Sequence, residues 1–221
     1  MVSVLAFSLA LTAADPSAIP VTTRYDDCVA LVQSDLEAGR AHAQRWTQEG
    51  GGAEAQHCLA IADMAAGFNK LAGARLEEAA ERKDAGDDYM RARLLNQAAL
   101  AWLEAGEIVN ARRALNAAFT LVPDSGELQL TAAKLHAAEG QWSEAIAAVD
   151  AARQAGFVSA EAYVLRGRAH IAVGDYRAAA EDVVNALKLD PANIDAYTLR
   201  GEIQQTGIDI NVAYRKRNAG E

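Results

Sequence analysis

The chain contains 221 residues, which is enough for one or two domains. Hydrophobic residues make up 51% of it and aromatic residues only 6%, and alanine dominates the apolar set. Because alanine has the highest helix propensity and only four prolines are present, the composition predicts an all-α protein. The net charge of −9 and pI of about 5.0 argue against nucleic acid or an anionic membrane surface as the main partner, since phosphate binding needs clustered lysine and arginine.

The first residues of the sequence predict export. Val2 to Thr12 form an apolar run of the length of a signal-peptide core, and Ala13 and Ala14 offer small residues for cleavage. We therefore expect a signal peptide over residues 1–14 and a periplasmic or otherwise exported protein. No lysine or arginine precedes the run, which leaves open an uncleaved helix or a start further upstream. A cytoplasmic location is expected if the run is not a signal.

The next segments predict a linker and then a helical pair. Residues 15–23 contain two prolines among small residues and are expected to be extended. Two helices are predicted by the residue patterns of Tyr25 to Ser34 and Leu36 to Glu49, and the three glycines at 50–52 end the second one. Asp35 stands where it would cap the second helix.

Residues 24–91 as a whole are expected to form divergent helical repeats. Within them, Cys58 to Lys83 predicts two short helices around Gly73. The residue types of this stretch fit the downstream repeat only after a slip of one residue.

A repeat of 34 residues begins at Ala92. Segments that start at Ala92, Gly126, Ala160 and Ile194 align without gaps. Three positions carry the same small residue in each full copy, and a fourth carries proline twice and phenylalanine once: Gly106, Gly140 and Gly174; Ala111, Ala145 and Ala179; Ala118, Ala152 and Ala186; Pro123, Phe157 and Pro191.

These positions predict a helix, a turn and a second helix in every copy. Glycine ends the first helix and allows the turn, alanine lets helices pack closely, and proline ends the second helix. One unit cannot bury its apolar face alone, so the copies must stack.

This pattern resembles the tetratricopeptide repeat, most closely over Ala160 to Pro191, where Tyr163, Gly167 and Tyr176 also take the family's residue types. The resemblance implies a right-handed α-solenoid of antiparallel helix pairs, with three tandem repeats over residues 92–193. Residues 194–221 begin as a fourth copy and lose the pattern, so they are expected to form a degraded repeat and capping helices. The basic residues 215–217 would make that cap polar, and a nucleic-acid or targeting role is the alternative.

The resemblance also implies a binding surface, because proteins of this family hold peptides or partner subunits on the concave face of the solenoid. The corresponding positions give a candidate groove of cations, an amide and apolar residues: Arg93, Asn96, Leu100, Leu130, Lys134, Val164, Arg168 and Ile171. The same repeat positions also hold Leu103, Glu104, Ala138 and Glu161. The mixture favours a peptide or protein segment with acidic and apolar residues. The alternative is that these are ordinary solvated positions.

The two cysteines, Cys28 and Cys58, are too few for a metal site. In a repeat solenoid they would lie in the first helices of adjacent units, which pack side by side. In an exported protein we therefore expect a disulfide, which would stabilise the fold by about 3–4 kcal/mol. The alternative is two buried free thiols.

No residue pattern predicts catalysis, a cofactor or a metal. His136 and His170 occupy the repeat position that Trp102 fills in the first full copy, so they are expected to pack between helices. His42 and His57 lack a metal-binding motif. We predict a non-catalytic, monomeric scaffold that binds a peptide or protein partner, with no transmembrane span once the signal is removed. An accessory subunit of an enzyme or of a secretion or assembly complex, and a self-assembling structural solenoid, are the alternatives.

Overall fold

The structure is a computed structural model, and it describes residues 23–210. The predicted signal peptide, residues 15–22 of the predicted linker, and residues 211–221 with the basic triplet lie outside the described residues.

Residues 23–210 form eleven α-helices and contain no β-strand. The helices are α1 (Arg24–Ser34), α2 (Leu36–Gln48), α3 (Gly52–Ala65), α4 (Asn69–Glu81), α5 (Asp88–Glu104), α6 (Ile108–Leu121), α7 (Gly126–Ala138), α8 (Trp142–Gln154), α9 (Ala160–Ala172), α10 (Tyr176–Leu189) and α11 (Ile194–Gln204). Each helix packs against the next one along the chain, so they form five antiparallel pairs followed by α11. The predicted all-α solenoid of helix pairs is confirmed.

The first helices of the pairs lie on the inner side of the solenoid. α1 contacts α3, α5 contacts α7, α7 contacts α9, and α9 contacts α11. No two even-numbered helices of the described chain make comparable contacts. The odd-numbered helices approach one another more closely than the even-numbered helices do. The stack therefore curves around the odd-numbered helices, and their solvent-facing surfaces line its concave face.

Glycine forms the turn inside each of the three full repeats, as predicted. Gly106, Gly140 and Gly174 have φ angles of 72°, 73° and 84°, a left-handed conformation that residues with a Cβ rarely adopt. After α5, the Gly106 N–H donates to the Leu103 carbonyl at 2.9 Å, and the Glu107 N–H donates to the Trp102 carbonyl at 2.8 Å. These bonds satisfy carbonyls at the end of the helix that have no partner within it.

Alanine fills the closest helix contacts of the repeats. Ala118, Ala152 and Ala186 are fully buried, and Ala145 and Ala179 are too. Leucine or valine packs beside them in the helix-pair cores, as Leu115 does with Ala118 and Val183 with Ala186. The small residues therefore set the distance between helices, and larger apolar residues fill the remaining space.

The prediction that a turn lies at Gly73 is wrong. The turn lies at Gly67, whose φ is 80°, and Gly73 lies inside α4. A Cβ on Gly73 would lie 2.7 Å from Cε2 of Trp102, so the glycine admits the indole ring of α5. A glycine within a helical pattern marks either a turn or a close approach, and here it marks a close approach.

The predicted cap of α2 is confirmed. The Asp35 carboxylate accepts a hydrogen bond from the Ala38 N–H at 3.0 Å, and Asp35 separates α1 from α2. The N–H groups of the first helical turn have no partner within the helix, so this bond stabilises its start.

A disulfide joins the first two helix pairs. Cys28 of α1 and Cys58 of α3 are bonded through their sulfur atoms, and both residues are fully buried. The bridge packs among Val32, Trp46 and Leu59 in an apolar cluster. It is the pairing that the sequence predicts.

Within residues 23–210, no helix combines the length and apolar character needed to cross a membrane.

Candidate partner-binding groove

A groove of about 400 Å³ lies on the concave face across three consecutive helix pairs. We call it the central groove. Side chains of α5, α7 and α9 and the start of α11 line it: Leu100, Leu103, Glu104, Lys134, Ala138, Glu161, Val164, Leu165, Arg168, Asn193 and Asp195. Its volume falls within the range of about 300–1,000 Å³ that is typical of ligand sites.

The cations of the central groove are paired within the protein. Lys134 Nζ lies 2.5 Å from Glu161 Oε1, and Arg168 Nη2 lies 2.7 Å from Asp195 Oδ1. In both pairs the cation lies in one repeat and the carboxylate lies in the first helix of the next. Solvent-exposed pairs contribute at most about 1 kcal/mol each, but they hold both side chains in place across the repeat boundary.

Carboxylates outnumber cations in the central groove. Glu104 adds a third acidic side chain to Glu161 and Asp195, against the two cations. The positive groove that the sequence suggested is therefore neutralised at Lys134 and Arg168. Its exposed apolar surface comes from α5 and α9.

Four of the eight predicted groove residues meet in the central groove, namely Leu100, Lys134, Val164 and Arg168. Leu130 is only 5% exposed and packs between α7 and α8, while Ile171 packs against the apolar cluster of α9–α11. Neither of these two side chains lines the central groove.

The other two predicted residues lie further towards the amino-terminal end. Asn96 is 1% exposed, and its amide donates to Glu127 Oε1 at 3.1 Å, which ties α5 to α7. Arg93 is exposed and lines a separate pocket, described below.

Leu165, Asn193 and Asp195 belong to the central groove but were not predicted. Asp195 is the repeat equivalent of Glu161, 34 residues further on, so extending the alignment into the fourth copy would have found it. The repeat alignment does not indicate Leu165, because the exposure of its side chain depends on how α9 is rotated.

A second pocket, of about 230 Å³, lies between α1, α3 and α5. We call it the N-terminal pocket. It is lined by Tyr25, Glu54, His57, Met90, Arg93, Leu94 and Gln97. Apart from Arg93, no residue of this pocket was predicted, because its side chains come from helices far apart in a divergent part of the sequence.

A chain of hydrogen bonds crosses the wall of the N-terminal pocket. Tyr25 Oη lies 2.9 Å from His57 Nδ1, and His57 Nε2 lies 2.7 Å from Gln97 Oε1. Since a carbonyl oxygen only accepts, Nε2 carries the proton in this arrangement, and Nδ1 accepts from the tyrosine hydroxyl. The rings of Tyr25 and His57 also stack, with centroids 5.5 Å apart.

Burial sets the charge states of this wall. It lowers the pKa of His57 and raises the pKa of Tyr25, because it disfavours the charged form of each group. The Gln97 hydrogen bond acts in the opposite direction on the His57 pKa, and Arg93 lowers it further. Both side chains are therefore neutral near pH 7.

The remaining buried charges are structural. Asp63 of α3 is fully buried and accepts from Arg40 Nε of α2 and Arg75 Nε of α4, each at 2.8 Å. Asp182 of α10 is held in the same way by Arg166 of α9. These bonds join neighbouring helices inside the solenoid.

The predicted interhelical histidines contact polar groups. His136 Nδ1 lies 2.7 Å from Gln141 Oε1, and His170 Nε2 lies 3.9 Å from Asp182 Oδ2. In the part of the chain that the structure describes, no group of three or more histidine, cysteine, aspartate or glutamate side chains is placed to hold a metal ion.

Comparison with protein families identifies the repeats. Two tetratricopeptide-repeat models match, one over residues 103–169 and one over residues 160–193. No curated protein sequence matches the chain.

Solved structures show the same fold. The tetratricopeptide-repeat protein TTC0263 of Thermus thermophilus is 16% identical, with a TM-score of 0.64 over 82% of this chain and 99% of its own. YrrB, described as having an unusual peptide-binding site, is 18% identical, with a TM-score of 0.56 over 80% and 90%. The first repeat domain of Spaghetti (RPAP3), bound to the HSP90 peptide SRMEEVD, is 21% identical, with a TM-score of 0.51 over 54% and 95%. Residues 103–193 thus match tetratricopeptide-repeat models, and the all-α solenoid has the fold of solved tetratricopeptide-repeat proteins.

Proposed function

We propose that the protein is a non-catalytic scaffold that binds a segment of a partner polypeptide in the central groove. The observation that carries the proposal is one continuous groove across three helix pairs, with half-buried leucines of α5 and α9 between fixed polar side chains. Two proteins of similar fold are described with a peptide or a peptide-binding site, which supports peptide binding as a use of this fold.

The chemistry of the central groove indicates what kind of segment fits. Lys134 and Arg168 already pair with carboxylates, so an acidic partner would have to displace Glu161 or Asp195. Leu100, by contrast, can contact an apolar side chain of the partner without any ion pair being displaced. We infer a segment that buries apolar side chains in the groove and meets its three carboxylates with hydrogen-bond donors.

We further propose that the scaffold works in an oxidising compartment of the cell envelope. The apolar run at residues 2–12 and the disulfide between Cys28 and Cys58 support this location, because disulfides persist outside the reducing cytoplasm. Trapping of thiols in fractionated cells would test it. We expect both cysteines of the protein from the envelope fraction to resist alkylation even after denaturation, and free thiols in a cytoplasmic fraction would contradict the proposal.

The groove proposal is tested by filling the groove without removing any contact. Ala138 is exposed at the end of α7 and lines the central groove, so Ala138→Trp would occupy it at little cost to folding. Ala117 is equally exposed on α6, away from the concave face, and Ala117→Trp is the matched control.

Both variants and the wild type would be captured from the native host after cross-linking. We expect a polypeptide partner with the wild type and with Ala117→Trp, and a loss of about tenfold or more with Ala138→Trp, since one tenfold step needs only about 1.4 kcal/mol. Equal recovery with both tryptophan variants would show that the partner binds elsewhere.

A further inference from the structure

The N-terminal pocket is separate from the central groove. Its walls come from the first helices of three successive pairs, so it continues the concave face towards the amino-terminal end. At about 230 Å³ it is smaller than a typical site for a whole small-molecule ligand. Its size suits one side chain of a longer segment.

The pocket is held in a fixed shape by bonds between its three helices. Cys28 lies one turn after Tyr25 on α1, and Cys58 follows His57 on α3, so the disulfide fixes these two helices beside the pocket. The hydrogen bond from His57 to Gln97 then joins α3 to α5. A pocket that is already ordered loses little conformational entropy when it binds.

Two opposite charges flank the pocket. Arg93 of α5 and Glu54 of α3 are both exposed, and neither forms an ion pair with a described residue. The only polar contact of Arg93 within residues 23–210 is a long one, 4.0 Å from Nη1 to Met90 Sδ. Lys134 and Arg168, by contrast, are both paired with carboxylates. Since Tyr25 and His57 are neutral, Arg93 and Glu54 provide the charge of this pocket.

We propose that the N-terminal pocket binds a partner segment in which an acidic and a basic side chain lie on either side of an apolar one. The acidic side chain pairs with Arg93, whose planar guanidinium can hold a carboxylate through two hydrogen bonds. The basic side chain pairs with Glu54, and the apolar one enters the pocket against Met90 and Leu94. The inference rests on the proposed scaffold function and adds the charge pattern of the segment.

A peptide library tests this pattern directly. The probe is a set of immobilised nonapeptides, acetylated and amidated to remove terminal charges, in which each position is varied in turn. Four proteins are compared on it: the wild type, Arg93→Gln, Glu54→Gln and Arg113→Gln. Arg113 is an exposed arginine of α6 that pairs with Glu77 of α4, so its replacement controls for the loss of one surface charge.

We expect the wild type and Arg113→Gln to select an acidic and a basic residue around an apolar one. Arg93→Gln should lose the acidic preference alone, by about tenfold, and Glu54→Gln should lose the basic preference alone. The proposal is overturned if the wild type shows neither preference, or only one, or if either preference survives in its matching variant.

The same library separates this proposal from the scaffold proposal. Peptide binding that Ala138→Trp abolishes and Arg93→Gln leaves unchanged would overturn the role of the N-terminal pocket and leave the central groove standing. Selection of the charge pattern that Ala138→Trp leaves intact would support the N-terminal pocket by itself.

Discussion

At the scale of single residues, the buried carboxylates explain how an alanine-rich solenoid fixes the positions of its helices. Contacts between alanine side chains are small and similar to one another. They therefore determine the distance between two helices better than the position of one helix along the other. Asp63 receives a hydrogen bond from α2 and another from α4, which fixes three consecutive helices relative to one another. An unpaired buried charge is costly, so any slip of these helices is opposed.

Replacing Asp63 should therefore weaken the fold strongly. Asp63→Asn removes the charge that balances Arg40 and Arg75, and we expect the free energy of unfolding to fall by about 3 kcal/mol in urea denaturation. Asp195→Asn is the control, because Asp195 and its partner Arg168 are both largely exposed and the loss of this pair should have a much smaller effect. Equal losses from the two variants would mean that Asp63 has no special structural role.

Residue roles were predictable where they depend on neighbours in sequence. The cap at Asp35 follows from its place before a helical pattern, and the disulfide follows from the placement of two cysteines in adjacent units. The hydrogen bonds of His57 reach residues 32 positions before it and 40 positions after it. No local pattern indicates such partners, so the N-terminal pocket could not be predicted.

At the scale of helices, the two kinds of helical glycine have opposite effects. Gly73 of α4 faces the Trp102 ring, and an added Cβ would lie 2.7 Å from it. Among residues 23–210, nothing beyond the backbone of α11 itself lies within 4 Å of the place where a Cβ on Gly201 would be. Both lie inside helices, where alanine is intrinsically more stable than glycine.

Alanine at these two positions should thus change stability in opposite directions. We expect Gly73→Ala to lower the free energy of unfolding by about 1–3 kcal/mol through overpacking. Gly201→Ala should raise it by up to about 1 kcal/mol through helix propensity alone. Thermal and urea unfolding would measure both, and a stabilising Gly73→Ala would show that α4 and α5 can separate freely.

The disulfide is the strongest tie of α1 to the rest of the chain. It closes a loop of 30 residues, which corresponds to about 3.5 kcal/mol in the chain-entropy model. We expect the Cys28→Ala/Cys58→Ala variant to lose about this much stability and to exchange amide hydrogens faster in α1 and α2 than in α9 and α10. A reductant should have the same effect on the wild type and none on the variant. Uniform exchange along the chain would contradict this local role.

At the scale of the whole molecule, the repeat makes the fold predictable and the binding surface only partly so. The 34-residue period determines where helices and turns occur, because each copy meets the same packing requirement. Whether a side chain at a predicted groove position is available to a partner depends on the rotation of its helix and on ion pairs with the next repeat. Val164 and Arg168 line the central groove, whereas Leu130 is covered by α8. The pairing of Lys134 with Glu161 could not be predicted either, because it depends on how consecutive repeats stack.

The proposed scaffold holds its partner polypeptide against the concave face. Site-specific photo-cross-linking in the native host tests this most directly, with a small diazirine amino acid, which leaves the groove open, placed at Ala138 in the central groove or at Ala117 on α6. We predict that light produces a discrete protein adduct from position 138 and none from position 117. Adducts from position 117 alone, or equally from both positions, would contradict a scaffold that binds its partner in this groove.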